Sequence, residues 1–290
     1  MKHKSENIID NDFENLTEEL FSKVNIKWTK NRDDIWNDIS VKIENNKNLE
    51  TKTVSVKRIV YAVAAVFILV TGTVAFMWLN VKTIANPSGQ HLSVSLPDNS
   101  LVKLNAQSEL SYKPLWWRFS REVKFNGEGF FNVKTGSRFS VVSEKGTTSV
   151  LGTSFNVYAR NGRYEVICAT GKIWVSDKNS SEKVILFPDE KAVITPSGVF
   201  EKEVNVDVTK NISWINNMFY FTSASLHEVI KEIARQYNIT ISIEDDIQYT
   251  YTGYFNKTNS VEEVLSLVCK PFGIKFKQNS KGNYVIFQNK

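Results

Sequence analysis

A net charge of +5, from 36 Lys and Arg against 31 Asp and Glu in 290 residues, is too small for a nucleic-acid footprint, which needs basic side chains clustered on one face. A hydrophobic share of 42 % is that of a water-soluble chain, which excludes a bundle of membrane spans but leaves room for one. The histidines His3, His91 and His227 share no metal-ligand spacing, and no phosphate-cradling glycine loop, nucleophile elbow or carboxylate pair occurs, so no metal, cofactor or enzymatic activity is expected.

Residues 1–58 are polar and Asn-rich but carry helical patterning. Phe13, Leu16, Leu20 and Phe21 form one short apolar series, with Thr17-Glu18-Glu19 as a start signal. Asn31 can cap a second helix whose first turn holds Asp33 and Asp34, where carboxylates suit the positive end of the helix dipole. On it Ile35, Trp36, Ile39 and Ile43 make one stripe, and Trp28 lies just upstream. So short a segment cannot bury these side chains alone. Self-association, packing on the membrane surface, or a partner protein that takes the helix in a groove would each cover them.

Residues 59–79 contain no charged side chain. A hydrocarbon core of about 30 Å needs roughly 20 apolar residues at helical rise, and Tyr61 and Trp78 near the ends suit the interfaces. Lys47, Lys52, Lys57 and Arg58 crowd the N-terminal flank, whereas Lys82 is the only charge before Asp98, so the positive-inside rule puts residues 1–58 in the cytoplasm. The run is too long and too far into the chain for a secretory signal peptide, so the chain is expected to stay anchored. Thr71-Gly72-Thr73 makes a locally weak point in mid-span.

Beyond the span, Asn86-Pro87-Ser88-Gly89 reads as a linker, and the pattern then turns to period two: Leu92, Val94, Leu96; Leu101, Val102, Leu104; Val123, Phe125; Phe130, Phe131, Val133. Breaks fall at Pro97-Asp98-Asn99-Ser100, Asn126-Gly127, Lys145-Gly146, Asn161-Gly162 and Ser197-Gly198. Residues 86–206 are therefore expected to form an all-β sandwich or solenoid-like roll. Trp116-Trp117 beside Pro114 either caps a neighbouring core or offers an aromatic platform for sugar rings. Cys168 and Cys269 each follow an apolar pair and read as buried thiols rather than as a disulfide.

Residues 212–290 contain a 35-residue repeat. Ser225-Leu226-His227-Glu228-Val229-Ile230 returns as Ser260-Val261-Glu262-Glu263-Val264-Leu265, and Tyr237-Asn238-Ile239-Thr240-Ile241 as Phe272-Gly273-Ile274-Lys275-Phe276. Each copy reads strand, helix, strand, with a Ser N-cap and a Glu three residues on, and Tyr284 to Phe287 closes a small α+β domain. The whole chain is thus expected to be α+β: a helical segment, one spanning helix, an all-β domain and this small domain.

The β-region resembles the periplasmic domain of the FecR family of transmembrane anti-sigma regulators. The resemblance rests on Leu96-Pro97-Asp98-Asn99-Ser100, Val102, Leu104-Asn105-Ala106 and Ser108; on Val123, Phe125, Gly127-Glu128, Phe131 and Val133; on Val150-Leu151-Gly152-Thr153 with Phe155-Asn156-Val157; and on Gly171 and Val175. Asn99, Arg138 and Asp189 depart from the family's usual Gly, Pro and Gly. The repeat resembles the secretin and TonB short domain that follows in many such proteins. The resemblance implies that residues 1–58, through Trp28, Ile35, Trp36, Ile39 and Ile43, bind an extracytoplasmic-function sigma factor at the inner membrane. It further implies that the periplasmic part takes a signal from the signalling domain of an outer-membrane TonB-dependent receptor. One helix transmits little strain across a bilayer, so membrane proteases would be the natural coupling. In some such regulators the Gly-Thr step breaks by itself, which would fall between Gly152 and Thr153; the alternative is a structural glycine that lets strands pack closely. A rival reading is a membrane-tethered glycan- or cell-wall-binding module built on Trp116 and Trp117.

Overall fold

The computed structural model describes residues 17–19, 22–23, 29–47, 55–178, 182–195, 199–243, 248–258, 260–280 and 282–288. The chain divides into two compact units, Met1–Phe67 and Ile68–Lys290. In the first, helix α1 (Arg32–Lys47) starts where the sequence signals place it. The Asn31 carbonyl accepts the Ile35 amide at 3.2 Å, and the Asp34 carboxylate accepts the Asn31 amide at 3.3 Å. Helix α2 (Val56–Leu79) has 24 residues, begins three residues ahead of the expected apolar run, and buries none of its side chains. Its length and composition suit a membrane span, as a single-pass protein requires. It runs unbroken through Gly72, and the hydroxyls of Thr71 and Thr73 donate to the carbonyls of Ile68 and Leu69 in the preceding turn.

The β-region carries β1 (Lys82–Asn86), β2 (Leu92–Ser95), β3 (Leu101–Leu104), β4 (Ser108–Tyr112), β5 (Arg121–Asn132), β6 (Phe139–Val142) and β7 (Gly146–Val150). There follow β8 (Ser154–Arg160), β9 (Arg163–Cys168), β10 (Ile173–Asp177), β11 (Lys183–Leu186), β12 (Glu190–Ile194) and β13 (Phe200–Val204). One sheet runs β1-β4-β5-β6-β7-β10-β11, the other β2-β3-β5-β8-β9-β12-β13, so β5 belongs to both. Its first half pairs with β4 and, in parallel, with β6; its second half pairs with β3 and β8. Inward residues of both sheets share one core, in which Phe131 stacks on Phe155 at 5.3 Å and meets Phe125 edge-on at 5.2 Å.

The strand sharing corrects the reading of Asn126-Gly127 as a break. Gly127 is the point where β5 passes from one sheet to the other: its φ is +121°, and a Cβ there would lie 2.6 Å from the Ser108 Cα. Asn161 and Gly162, with φ of 50° and 74°, do form a tight hairpin between β8 and β9. Asn99 and Asp189 tolerate the positive φ, 62° and 63°, of the glycines they replace. Ser197-Gly198 lies outside the described residues. The sheet also begins earlier than residue 86: β1 starts at Lys82, and Asn86 is no linker residue. It is buried, and its amide nitrogen donates to the carbonyls of Gln90 at 2.8 Å and Asn105 at 2.9 Å.

The C-terminal part begins with a helical turn, α3 (Val208–Asn211), then β14 (Met218–Ser225), α4 (Leu226–Tyr237), β15 (Ile241–Ile243), β16 (Thr250–Asn256), α5 (Val261–Cys269), β17 (Ile274–Gln278) and β18 (Tyr284–Gln288). Ser225 and Ser260 cap α4 and α5 by accepting the amides of Glu228 and Glu263, and Asn238 ends α4 in the left-handed conformation. β14 pairs with β16, while β15, β18 and β17 form a second small sheet. Both helices bury their apolar faces, led by Leu226, Ile233, Leu265 and Val268, in one common core.

Candidate functional site

In the first unit, α1 brings Ile35, Trp36, Ile39 and Ile43 onto one face, since steps of one, three and four residues keep them within about a third of a turn. Trp36 is 60 % exposed, Ile39 and Ile43 are also exposed, and Ile35 is half-buried. Thr29, Lys30, Asn31 and Arg32 line a hollow with Ile35, Trp36 and Ile39. Trp28 lies outside the described residues, as do Phe13, Leu16, Leu20 and Phe21.

In the second unit, a polar cluster joins the β-sheets to helix α4. Gln236, near the end of α4, donates through its amide nitrogen to Asn105 Oδ1 at 2.6 Å and to Glu232 Oε1 at 2.8 Å. The Asn105 side chain donates to Glu128 Oε2 at 2.8 Å, and Asn156 donates to Glu128 Oε1 at 3.1 Å. Trp214 Nε1 donates to Asn156 Oδ1 at 3.3 Å, and its ring meets His91 edge-on at 5.4 Å. His91 Nε2 lies 3.2 Å from Gln236 Oε1. Arg160 donates to the Ala106 and Gln107 carbonyls at 2.6 and 2.7 Å, and the Gly89 amide donates to the Arg235 carbonyl at 2.8 Å. Asn105, Glu128 and Asn156 are three polar members of the sequence motifs, and the fold brings all three to one place.

Charge is concentrated here. Burial, reinforced by the neighbouring Glu232 carboxylate, pushes the Glu128 carboxyl up to about 7. Burial acts on Glu232 in the same sense, but Arg235, Gln236 and Arg160 outweigh it and hold that group below the ordinary carboxylate value. Environment therefore divides the two carboxyls into one, Glu128, that holds its proton up to about pH 7 and one, Glu232, that ionises more readily than usual, paired with Arg235 at 2.6 Å. Burial also holds His91 below its usual value, so the neutral ring bonds Gln236.

A second polar cluster explains the motif aspartate. Asp98 pairs with Arg121, whose Nε donates to it at 2.8 Å, and Arg121 also donates to the carbonyls of Ser137 at 2.6 Å and Lys134 at 2.8 Å. Gly152 is a close-packing position, because a Cβ would come within 2.6 Å of the Thr135 Cα, and a Cβ on Gly171 would reach 2.5 Å from Thr153 Cγ2. Thr153 is buried between them, and its hydroxyl has no hydrogen-bond partner among the described residues. Trp117 is 6 % exposed and packs edge-on against Tyr112 and Phe139 in the core, so only Trp116 of that pair is available to a sugar ring. Cys168 and Cys269 are free and buried in different cores, and burial raises their thiols to about 12 and about 11. Among the described residues no group of three or more His, Cys, Asp or Glu side chains could hold a metal ion.

The chain thus carries a two-sheet β-region that shares one long strand, joined through a buried polar cluster to a small α+β module and preceded by one helix apolar enough to cross a membrane. The family model described as FecR protein matches residues 82–174, and the one described as FecR, C-terminal, matches residues 218–287, where the sequence resembled the secretin and TonB short domain. Two crystal structures of a protein from Parabacteroides distasonis ATCC 8503, provisionally named an anti-sigma factor, are similar at 28 % identity, with TM-scores of 0.67 and 0.66. Each alignment covers 72 % of this chain and 100 % of the other. Among curated proteins none matches. The chain belongs to the FecR family of anti-sigma regulators.

Proposed function

We propose that the chain is a single-pass inner-membrane anti-sigma regulator. Residues 1–58 hold an extracytoplasmic-function sigma factor in the cytoplasm, and the periplasmic part receives the signalling domain of an outer-membrane TonB-dependent receptor. The observation that carries this reading is the stripe of exposed Trp36, Ile39 and Ile43 with half-buried Ile35 on a helix that precedes one apolar span in a FecR-family chain. An aromatic and aliphatic face left exposed among the described residues is what a helix-binding groove takes. The provisional name of the Parabacteroides protein points the same way. A pull-down with residues 1–58 as bait tests it: a sigma factor should be retained, and its absence from the eluate removes this segment from the mechanism.

Reception of the signal is assigned to residues 212–290. Among the described residues β14 and β16 pair only with each other, so this small sheet has edges that can take another strand through main-chain groups. Deleting the region should abolish binding of a receptor signalling domain; retained binding would move the site to the β-sheets. Release is assigned to membrane proteases acting near Thr71-Gly72-Thr73, where glycine weakens the helix. At Gly152 and Thr153 the tight approach to Thr135 favours an architectural glycine over a self-cleaving bond.

A further inference from the structure

The end of the span at Leu79 and the start of the β-sheets at Lys82 are separated by two residues, Asn80 and Val81, so they lie no more than about 11 Å apart. Strand β1 therefore starts at the bilayer if α2 crosses it, which is the reading of Proposed function on which this inference rests. β1 pairs antiparallel with β4, and its first residue, Lys82, faces Tyr112, the last residue of β4. The segment after β4, residues 113–120, must then emerge at the same membrane-proximal end.

That segment is apolar and held out from the fold. Trp117 fixes it by sinking into the core, while Leu115 is 43 % and Phe119 70 % exposed. Trp116 packs on Phe119 at 4.7 Å. Lys113 Nζ lies 3.9 Å from the centre of the Trp78 ring, and Trp78, Val81, Lys113 and Trp116 line one hollow. The loop is thus in contact with the interfacial tryptophan of the span. Exposed Leu115 and Phe119 with half-buried Trp116, interspersed with Lys113 and Arg118, is the composition of a segment that lies at the boundary between headgroups and acyl chains, with cations near lipid phosphates.

We propose that residues 113–119 are a second membrane contact: Leu115, Trp116 and Phe119 enter the phospholipid interface beside Trp78 and hold the β-sheets against the bilayer. The test uses the full chain in vesicles of phosphatidylethanolamine and phosphatidylglycerol that carry a doxyl-lipid quencher. A fluorophore is attached at Leu115→Cys or Phe119→Cys, with Leu267→Cys as an exposed control and Val70→Cys as a reporter of the span. The native Cys168 and Cys269 are buried and leave the introduced thiol as the reactive one. Quenching at 115 and 119 should exceed that at 267 by about threefold or more, and Leu115→Asp should reduce it at 119. Quenching at 70 but not at 115 and 119 overturns the loop contact alone. No quenching at 70 overturns the span itself and the loop with it. Shielding of 115 and 119 that persists without lipid and tracks self-association assigns the patch to a second copy and overturns the lipid reading.

Discussion

Arg121, the first residue of β5, and Asp98, in the turn between β2 and β3, hold the opening motif in place, and both are largely buried. A buried pair is costly to break because the remaining charge keeps its desolvation penalty without its partner. Arg121→Met should therefore lower the stability of residues 82–290 by about 3 kcal/mol in urea unfolding, far more than loss of an exposed pair would. Gly152→Ala forces a Cβ against Thr135 and should also destabilise, by about 1 to 3 kcal/mol in the same assay. Intact mass spectrometry should return one full-length species for the native chain and for Thr153→Ala; two fragments from the native chain alone would reinstate self-cleavage. At this scale the sequence was legible wherever the signal is local. Ser225, Ser260 and Asn238 stand where caps require them, because a cap depends on residues within one turn. Asn126-Gly127 misled because a positive-φ glycine looks the same in a turn and in a strand that changes sheets.

Helix α4 and strand β5 meet through Glu128, Glu232, Asn105 and Gln236, and this contact makes the junction sensitive to pH. Glu128, pushed up to about 7, binds its proton more tightly folded than unfolded. Its contribution is complete below the ordinary carboxylate range and is lost as pH rises through about 7. Glu232, held down by Arg235, Gln236 and Arg160, contributes above the ordinary range and loses that contribution as pH falls. Glu128→Gln should therefore raise the Tm at pH 8 and leave it nearly unchanged at pH 5, whereas Glu232→Gln should lower it at pH 8, as scanning calorimetry would record. Equal shifts at both pH values would remove Glu128 from this role. The sequence did not reveal the junction: Asn105 and Gln236 are 131 positions apart, and no periodicity links polar residues over that distance. β1 escaped notice for a related reason, since its one fully buried side chain is the polar Asn86 and only Ile84 adds an apolar contact with the core.

As a whole the chain carries an apolar stripe ahead of one helix apolar enough to span a membrane, then a β-region and a small α+β module, an order set by composition and hydropathy and therefore plain in the sequence. Truncating an aromatic anchor buried at an interface costs about 2 kcal/mol or more, which is roughly thirtyfold in affinity. Calorimetric titration of the full chain in nanodiscs with its purified sigma factor, comparing native protein with Trp36→Ala, tests sigma-factor capture by the stripe most directly. Trp36→Ala should bind at least roughly thirtyfold more weakly, with the β-region unaltered in its thermal unfolding; equal affinity for the two proteins would remove the stripe from sigma-factor capture.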